Sequence, residues 1–303
     1  VLLRARRASD NLITSYCHPV AGSGPELRAK RGWVNAHREI AFPTFLKRLG
    51  WAIEDQQIFD ENDQQRQIIY RCVACEREQP PSIGPLATKM REERLTYLNP
   101  DKIARIETAM QQVVDAGVPG DFAEFGIALG GSAIIIADKA VRSDRRFIGL
   151  DVFDMIPSPT SPHDDDVSRG RYETIAKGHS KGIGDDLYYG YRSDLLTEVT
   201  QSFARHGLEP DQNRIMLAPG LFEDTWPAIA GRPLAFAHID CDWHDPVEFC
   251  LRSVAADLSP GGIIVIDDYL SYGGARVAVD KFLASNADFA FEDGQNPLLI
   301  KKS

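Results

Sequence analysis

The amino-acid sequence predicts a doubly wound α/β fold: a mostly parallel, seven-stranded sheet with helices on both faces, preceded by an N-terminal extension over residues 1–88. Three observations lead there. From residue 102 onward, short apolar runs alternate with stretches of helical period. A glycine-rich loop joins the first run to the helical stretch after it. Acidic residues punctuate the carboxyl ends of the runs, where sheets of this kind bind their ligands.

The elements follow in order. Ile103, Ile106, Met110 and Val113 recur at helical spacing, and Gly117-Val118-Pro119-Gly120 stops that helix. A first strand is predicted over 122–126, followed by Gly130-Gly131 opening a helix that runs through Ala140. The second strand is 147–151, and a helix at 194–206 leads to a third strand at 214–218. Strand four, 233–240, precedes a helix at 247–258; strand five, 261–268, precedes a helix at 275–285. Residues 289–291 and 298–301, around Asp293-Gly294, read as a closing hairpin. Strict alternation of strand and helix implies parallel pairing with both sheet faces covered. The extension is less regular. Residues 41–49 suit a short helix, and 53–59 with 67–73 suit a hairpin around Glu61-Asn62-Asp63-Gln64. Gln79-Pro80-Pro81-Ser82, then Gly84-Pro85, reads as a linker.

Composition narrows the function classes. The chain has 303 residues, 43% of them hydrophobic and 26% charged, which is ordinary for a soluble domain. No apolar run reaches the roughly 18–20 residues that span a bilayer, and no signal-peptide pattern opens the chain, so the expectation is a cytoplasmic protein without membrane partners. Net charge is −10, although residues 1–50 hold nine Lys and Arg against three Asp and Glu. An acidic body argues against nucleic acid as partner, because phosphate binding needs dense Lys and Arg. Cys17, Cys72, Cys75, Cys241 and Cys250 make no even framework, and Cys72-Val-Ala-Cys75 lacks the second pair a zinc site needs.

Two regions carry chemistry. Glu124-Phe125-Gly126-Ile127-Ala128-Leu129-Gly130-Gly131-Ser132 sits at the first strand-to-helix junction, with neither Walker A nor GxGxxG spacing. An acid within that strand suits a cationic partner, such as the amino group and sulfonium of S-adenosylmethionine, more than a pyrophosphate. Asp151 ends the second strand 20 residues past Gly131, the offset at which an acid accepts hydrogen bonds from ribose hydroxyls. The second region is acidic: Asp240 and Asp242 end strand four, and Asp267 and Asp268 end strand five. Adjacent strands bring Asp240, Asp267 and Asp268 to one rim, where three carboxylates repel unless a cation or protons intervene. Hard oxygen donors suit Mg²⁺, with Mn²⁺ or Ca²⁺ as alternatives; acids capping the following helices are the other reading. His244 beside the rim is either a hydrogen-bonding neighbour or a base.

Residues 95–303 resemble the macrocin O-methyltransferase family, metal-dependent enzymes that methylate sugar hydroxyls of macrolides and related natural products. The carriers of the resemblance, in order, are the run from Gly117 to Gly126, Gly130-Gly131, Leu150-Asp151-Val152-Phe153 and Phe203-Ala204-Arg205-His206-Gly207-Leu208. Gly220-Leu221-Phe222-Glu223-Asp224-Thr225, Ile239-Asp240-Cys241-Asp242, Leu258-Ser259-Pro260-Gly261-Gly262 and Asp267-Asp268-Tyr269 complete the set. The resemblance implies the Rossmann-like class I methyltransferase fold over 89–303 and Mg²⁺ on Asp240, Asp267 and Asp268. It implies S-adenosylmethionine on Glu124, Gly126, Gly130, Gly131, Ser132, Asp151, Phe153 and Asp224. Asp242, or alternatively His244, would act as general base on a glycosylated small molecule, and a homodimer is compatible with the class. Rivals are a catechol-type phenolic methyltransferase and a non-catalytic partner that kept the fold. The chain departs from the family with Leu129 for the usual Arg, Cys241 for the usual Gly, and Trp243-His244-Asp245-Pro246 for a Leu-Tyr-Glu-Ser type segment. Residues 154–192, rich in Pro, Asp, Gly and Tyr, are expected to form a mobile lid.

Overall fold

Residues 11–19, 46–47, 50–62, 65–76 and 81–302 are described by the structure, a computed structural model. The chain forms two compact units that divide between Pro81 and Ser82. In the first, β1 (Asn11–Pro19), β2 (Trp51–Asn62) and β3 (Gln65–Ala74) make an antiparallel sheet in the order β1-β3-β2. β2 and β3 pair from Trp51↔Ala74 to Asn62↔Gln65, so the expected hairpin is present and longer than its apolar centres suggested. Trp51, Ile68, Tyr70 and Cys72 bury themselves with Leu46 as this unit's core. Of the expected helix at 41–49, only Leu46 and Lys47 fall within described helix; Gln79 and Pro80 of the expected linker lie outside the described residues. β1 was not anticipated.

The second unit starts earlier than residue 89, because Pro85 opens a helix rather than closing a linker. That helix, α1 (Pro85–Glu92), inserts Ala87 and Met90 into the unit's core. Proline suits a first helical turn, where its missing N–H has no partner to lose. α2 (Pro100–Asp115) begins the same way, capped by Asn99, whose Oδ1 accepts from the Lys102 N–H at 3.0 Å. Then come β4 (Asp121–Phe125), α3 (Gly131–Arg142), β5 (Phe147–Asp151), α4 (Asp166–Ala176), α5 (Leu195–Arg205) and β6 (Ile215–Pro219). The short α6 (Phe222–Thr225), β7 (Leu234–Ile239), α7 (His244–Asp257), β8 (Leu258–Ile266), α8 (Gly273–Ser285), β9 (Phe289–Glu292) and β10 (Leu298–Lys301) complete it.

The sheet order is β6-β5-β4-β7-β8-β10-β9. β6 through β8 run parallel, and β10 runs antiparallel to both β8 and β9. The order reverses beside β4: β5 lies on one flank, β7 on the other, and their carboxyl ends open a crevice there. Side chains alternate across the pleat. Phe122, Phe236, Ile263 and Val265 face a core built with α1, α2, α3 and α5. Ala123, Phe125, Ile239, Ile264 and Ile266 face a second core with α7 and α8. That alternation also places Glu124, His238 and Asp267 on the α2 side of the sheet, because Glu124 pairs with His238 and His238 with Val265. α2 packs against β7 and β8.

The segment expected as a lid contains two regular elements, α4 and a 3-10 turn. Asp165 caps α4 through the Ser168 N–H at 2.9 Å, and Tyr189–Tyr191 form a 3-10 turn. No helix among the described residues is long and apolar enough to cross a membrane.

Candidate active site

A cavity of about 450 Å³ opens beside the switch point. Gly126 and Asp151 line it from β4 and β5, Asp240 and Cys241 from the end of β7, and Leu221 to Glu223 from the α6 turn. Asp154, Ile156, Pro157, Ser158, Thr160 and Tyr189 close it from the segment after β5.

Asp151 organises the cofactor end. Its Oδ2 accepts the Ile127 and Ala128 N–H groups at 2.6 and 3.0 Å, and its Oδ1 accepts the Phe153 N–H at 2.7 Å. Burial raises its pKa against those three donors, and its edge reaches the cavity. Gly126 is also part of the wall. It has φ +92°, and a Cβ there would lie 1.9 Å from the Asp240 carbonyl oxygen, so the two strand ends touch only because the side chain is absent. Gly131 likewise admits the Leu95 carbonyl, which accepts its N–H at 2.9 Å.

Other candidate residues take different places. Glu124 is fully buried and does not line the cavity; its Oε1 meets His238 Nδ1 at 2.8 Å. Burial raises the Glu124 pKa, while His238 and Ser132 oppose the rise. Phe153 has φ +52° and buries its ring in the first core, and Gly130 and Ser132 are buried behind the loop. Asp224 is exposed on the α6 turn, where its neighbour Glu223 lines the cavity instead.

The acids of the rim fall into two groups that share Asp240. Asp240 and Asp267 are held by main-chain bonds to Phe125 O and Ile239 O, both at 2.9 Å. Asp242 takes the left-handed conformation, φ +61°, and donates its N–H to Asp268 Oδ2 at 3.1 Å. Oxygens of Asp240, Asp242 and Asp268 lie within 4.8 Å of one another, as do ligand atoms of His238, Asp240 and Asp267. Burial and the neighbouring carboxylates push Asp240 and Asp242 well above the usual carboxylate range and raise Asp268. Such mutual repulsion is what a hard divalent cation relieves. Asp267 Oδ1, buried, has no hydrogen-bond partner. The donor set therefore fits a cation of the Mg²⁺ class.

Two residues that sequence reasoning passed over complete the rim. His238 stands between Glu124 and Asp267, its Nε2 3.8 Å from Asp267 Oδ1. Burial would lower its pKa, but Asp267 and Glu124 push it up to about 10. Lys102 reaches in from α2, its Nζ 2.5 Å from Asp267 Oδ2 and 3.1 Å from the Asp267 carbonyl oxygen. Burial opposes the Lys102 charge, but Asp267, Asp268 and Asp240 outweigh it. Under that influence Asp267 alone of the rim acids is held below its usual pKa, despite burial. No ion pair among the described residues reaches Asp240, Asp242 or Asp268.

The segment that departs from the family pattern turns toward the lid. Trp243, 1% exposed, donates Nε1–H to Pro157 O at 2.8 Å and packs its ring edge-on to Tyr272. The His244 N–H is donated to Asp164 Oδ1 at 2.9 Å, and its Nδ1 lies 2.8 Å from Asp245 Oδ1 and 3.2 Å from Ser161 Oγ. His244 thus serves the lid anchor and does not line the cavity. Trp243→Phe removes the bond to Pro157 and part of the indole volume. The expected result is a loss of about 1–3 kcal/mol and faster amide exchange over 154–165, measured by denaturation and hydrogen-exchange mass spectrometry. Unchanged exchange in that segment would refute the anchor.

The chain is 30% identical over 179 residues to the 8-demethyl-8-(2,3-dimethoxy-alpha-L-rhamnosyl)-tetracenomycin-C 4'-O-methyltransferase of Streptomyces olivaceus, covering 57% of this chain and 62% of that one. It is 31% identical over 182 residues to the mycinamicin III 3''-O-methyltransferase of Micromonospora griseorubida, covering 57% and 65%. The match thus spans less than two thirds of the length of either relative. Among solved structures, the O-methyltransferase NovP superposes with TM-score 0.56 at 22% identity, over 69% of this chain and 82% of its own. CalS11, a calicheamicin methyltransferase, superposes with TM-score 0.52 at 18% identity, over 72% and 86%. These likenesses show the class I methyltransferase fold. Residues 87–288, two thirds of the chain, match the family model described as Macrocin-O-methyltransferase (TylF), and the chain belongs to that family.

Proposed function

We propose that this protein transfers a methyl group from S-adenosylmethionine to a sugar hydroxyl of a glycosylated natural product, with Mg²⁺ or a similar divalent cation at the acidic rim. The observation that carries the reading is that Asp240, which shares the lining of one cavity with Asp151, lies in ligand-atom groups with Asp242 and Asp268 on one side and with Asp267 on the other. Family membership and the names of the relatives support the acceptor class.

When bound, the cation supplies Lewis-acid polarisation of the acceptor oxygen, and S-adenosylmethionine supplies an electrophilic methyl group. Asp240, Asp267 and Asp268 would hold the cation. Asp242, whose pKa burial and Asp268 raise, would take the acceptor's proton as general base, with His244 as the alternative. Asp151 would receive ribose hydroxyls beside Gly126. Leu221 and Phe222 offer apolar surface to an aglycone, and the anchored 157–165 segment limits water at the reacting centre.

The test is a methyl-transfer assay over glycosylated macrolides, glycosylated aromatic polyketides and catechols, with and without EDTA. Transfer to a sugar oxygen, abolished by EDTA and restored by Mg²⁺, is expected. Turnover of catechol alone would overturn the acceptor assignment, and failure of the folded protein to bind S-adenosylmethionine would overturn the reaction itself.

A further inference from the structure

The rim is compensated on one side only. Glu124, His238, Asp267 and Lys102 form a buried row of alternating sign, with separations of 2.8, 3.8 and 2.5 Å. The pleat dictates the first three, since all lie on the sheet face that α2 covers. The fourth is placed by the framing of the α2 amino end. Asn99 caps it, Asn296 Nδ2 donates to the Lys102 carbonyl at 3.2 Å, and Arg105 Nε donates to Asn296 O at 3.0 Å. Lys102 is therefore a built element; its side chain is only 16% exposed and that of Asp267 only 6%.

We propose that Lys102 is a resident cation of the rim, which keeps the carboxylates assembled in the absence of a divalent ion and holds the affinity for that ion down. The proposal rests on the cation reading above. It makes Lys102 a positioning residue acting through Asp267. Two effects of removing Lys102 compete. Loss of a positive charge behind a ligand favours the incoming cation, whereas loss of a hydrogen bond frees the Asp267 carboxylate to wander. Charge prevails, because Asp267 stays tethered by its N–H to Ile239 O at 2.9 Å and its other oxygen still faces His238. At short range in a dry site, repulsion between the ammonium and an incoming divalent ion exceeds the single charge-assisted hydrogen bond that Lys102 gives the carboxylate.

Mn²⁺ titration of the full chain, followed by calorimetry and by the paramagnetic signal of free Mn²⁺, tests this. Lys102→Met is expected to bind Mn²⁺ at least about 10-fold more tightly than wild type, equivalent to about 1.4 kcal/mol. Lys102→Arg, which keeps the charge, should stay within about threefold of wild type. In EDTA, Lys102→Met should melt below wild type, and Mn²⁺ should raise its melting temperature by more than it raises that of wild type. A merely structural lysine would lower stability without tightening Mn²⁺ binding. Lys102→Gln, prepared in Mn²⁺, gives the same comparison if the methionine variant does not fold. Equal or weaker Mn²⁺ binding in the neutral variants would overturn the proposal and leave the cation reading standing. Binding by neither wild type nor variants would overturn both, while retained S-adenosylmethionine binding would preserve the cofactor assignment.

Discussion

Asp240→Asn is expected to cut methyl transfer by about 10²–10³-fold, the scale of losing one preorganised electrostatic group, while raising the melting temperature of the cation-free protein by about 2–4 °C. The two effects have one origin. Asp240 belongs to both groups of converging ligand atoms, so a cation held by either would lose a donor. In the absence of the cation, desolvation first and then the carboxylates of Asp267, Asp268 and Asp242 push its pKa well above the usual range. An acid whose folded pKa lies above its unfolded one binds protons more tightly when folded. Its ionised form therefore costs stability at high pH, and the cost fades as pH falls through the folded pKa. Asparagine mimics the protonated form at nearly constant shape. The melting gain should be present above the folded pKa and vanish in acid, and it should disappear when saturating Mn²⁺ stabilises wild type alone. Thermal melts across pH in EDTA, beside initial rates at saturating cofactor and cation, measure both. A variant that is slow but no more stable without cation would mean that the rim acids are not in repulsive contact.

Much of this architecture is legible in the sequence, and the exceptions around the site share a cause. β4, β5, β7 and β8 are short apolar runs bounded by turn residues, so periodicity alone locates them, and the acids at their carboxyl ends follow from the topology of parallel sheets. What periodicity does not carry is which residues meet across the sheet. His238 is an unremarked residue inside an apolar run, and its partner Glu124 is 114 positions away. Lys102 looks like an ordinary first-turn lysine of an amphipathic helix, and its partner Asp267 is 165 positions away. Only the register Glu124↔His238, with α2 laid over that face, joins them. The same blindness explains Glu124 itself: an acid in a strand suggests a ligand contact, whereas the pleat turns it inward to His238. Trp243 to Asp245 depart from the family pattern for a reason equally invisible in sequence, since their partners Pro157, Thr160, Ser161 and Asp164 sit on a different loop. β1 escaped notice because its residues, NLITSYCHP, mix polar and apolar side chains without a regular period.

Gly126→Ala is the substitution expected to damage the fold most directly. In sequence, the glycine loop reads as room for a cofactor. In the structure, the space at Gly126 is already taken by protein: an added Cβ would sit 1.9 Å from the Asp240 carbonyl oxygen and 2.9 Å from its carbonyl carbon. Both are main-chain atoms that cannot swing aside as a side chain would. Asp240 N–H is itself bonded to Phe125 O at 2.9 Å, and Gly126 N–H to Leu150 O at 2.9 Å, so β4 is pinned on both flanks at this point. The φ of +92° adds a backbone conformation that alanine rarely adopts. Relief requires the ends of β4 and β7 to part, which disturbs Asp240 and the cavity wall together. The expected loss is about 3 kcal/mol or more, about 6–12 °C in melting temperature for a domain of this size, with S-adenosylmethionine affinity falling in whatever fraction stays folded. Gly178→Ala is the control. Its φ of +73° is also left-handed, but a Cβ there meets nothing within 4 Å, so only the conformational cost of about 1 kcal/mol should appear. Urea denaturation of the two variants separates strain from steric exclusion. Equal losses at Gly126 and Gly178 would show that backbone conformation alone sets the cost, and that the close approach of β4 to Asp240 does not constrain the site.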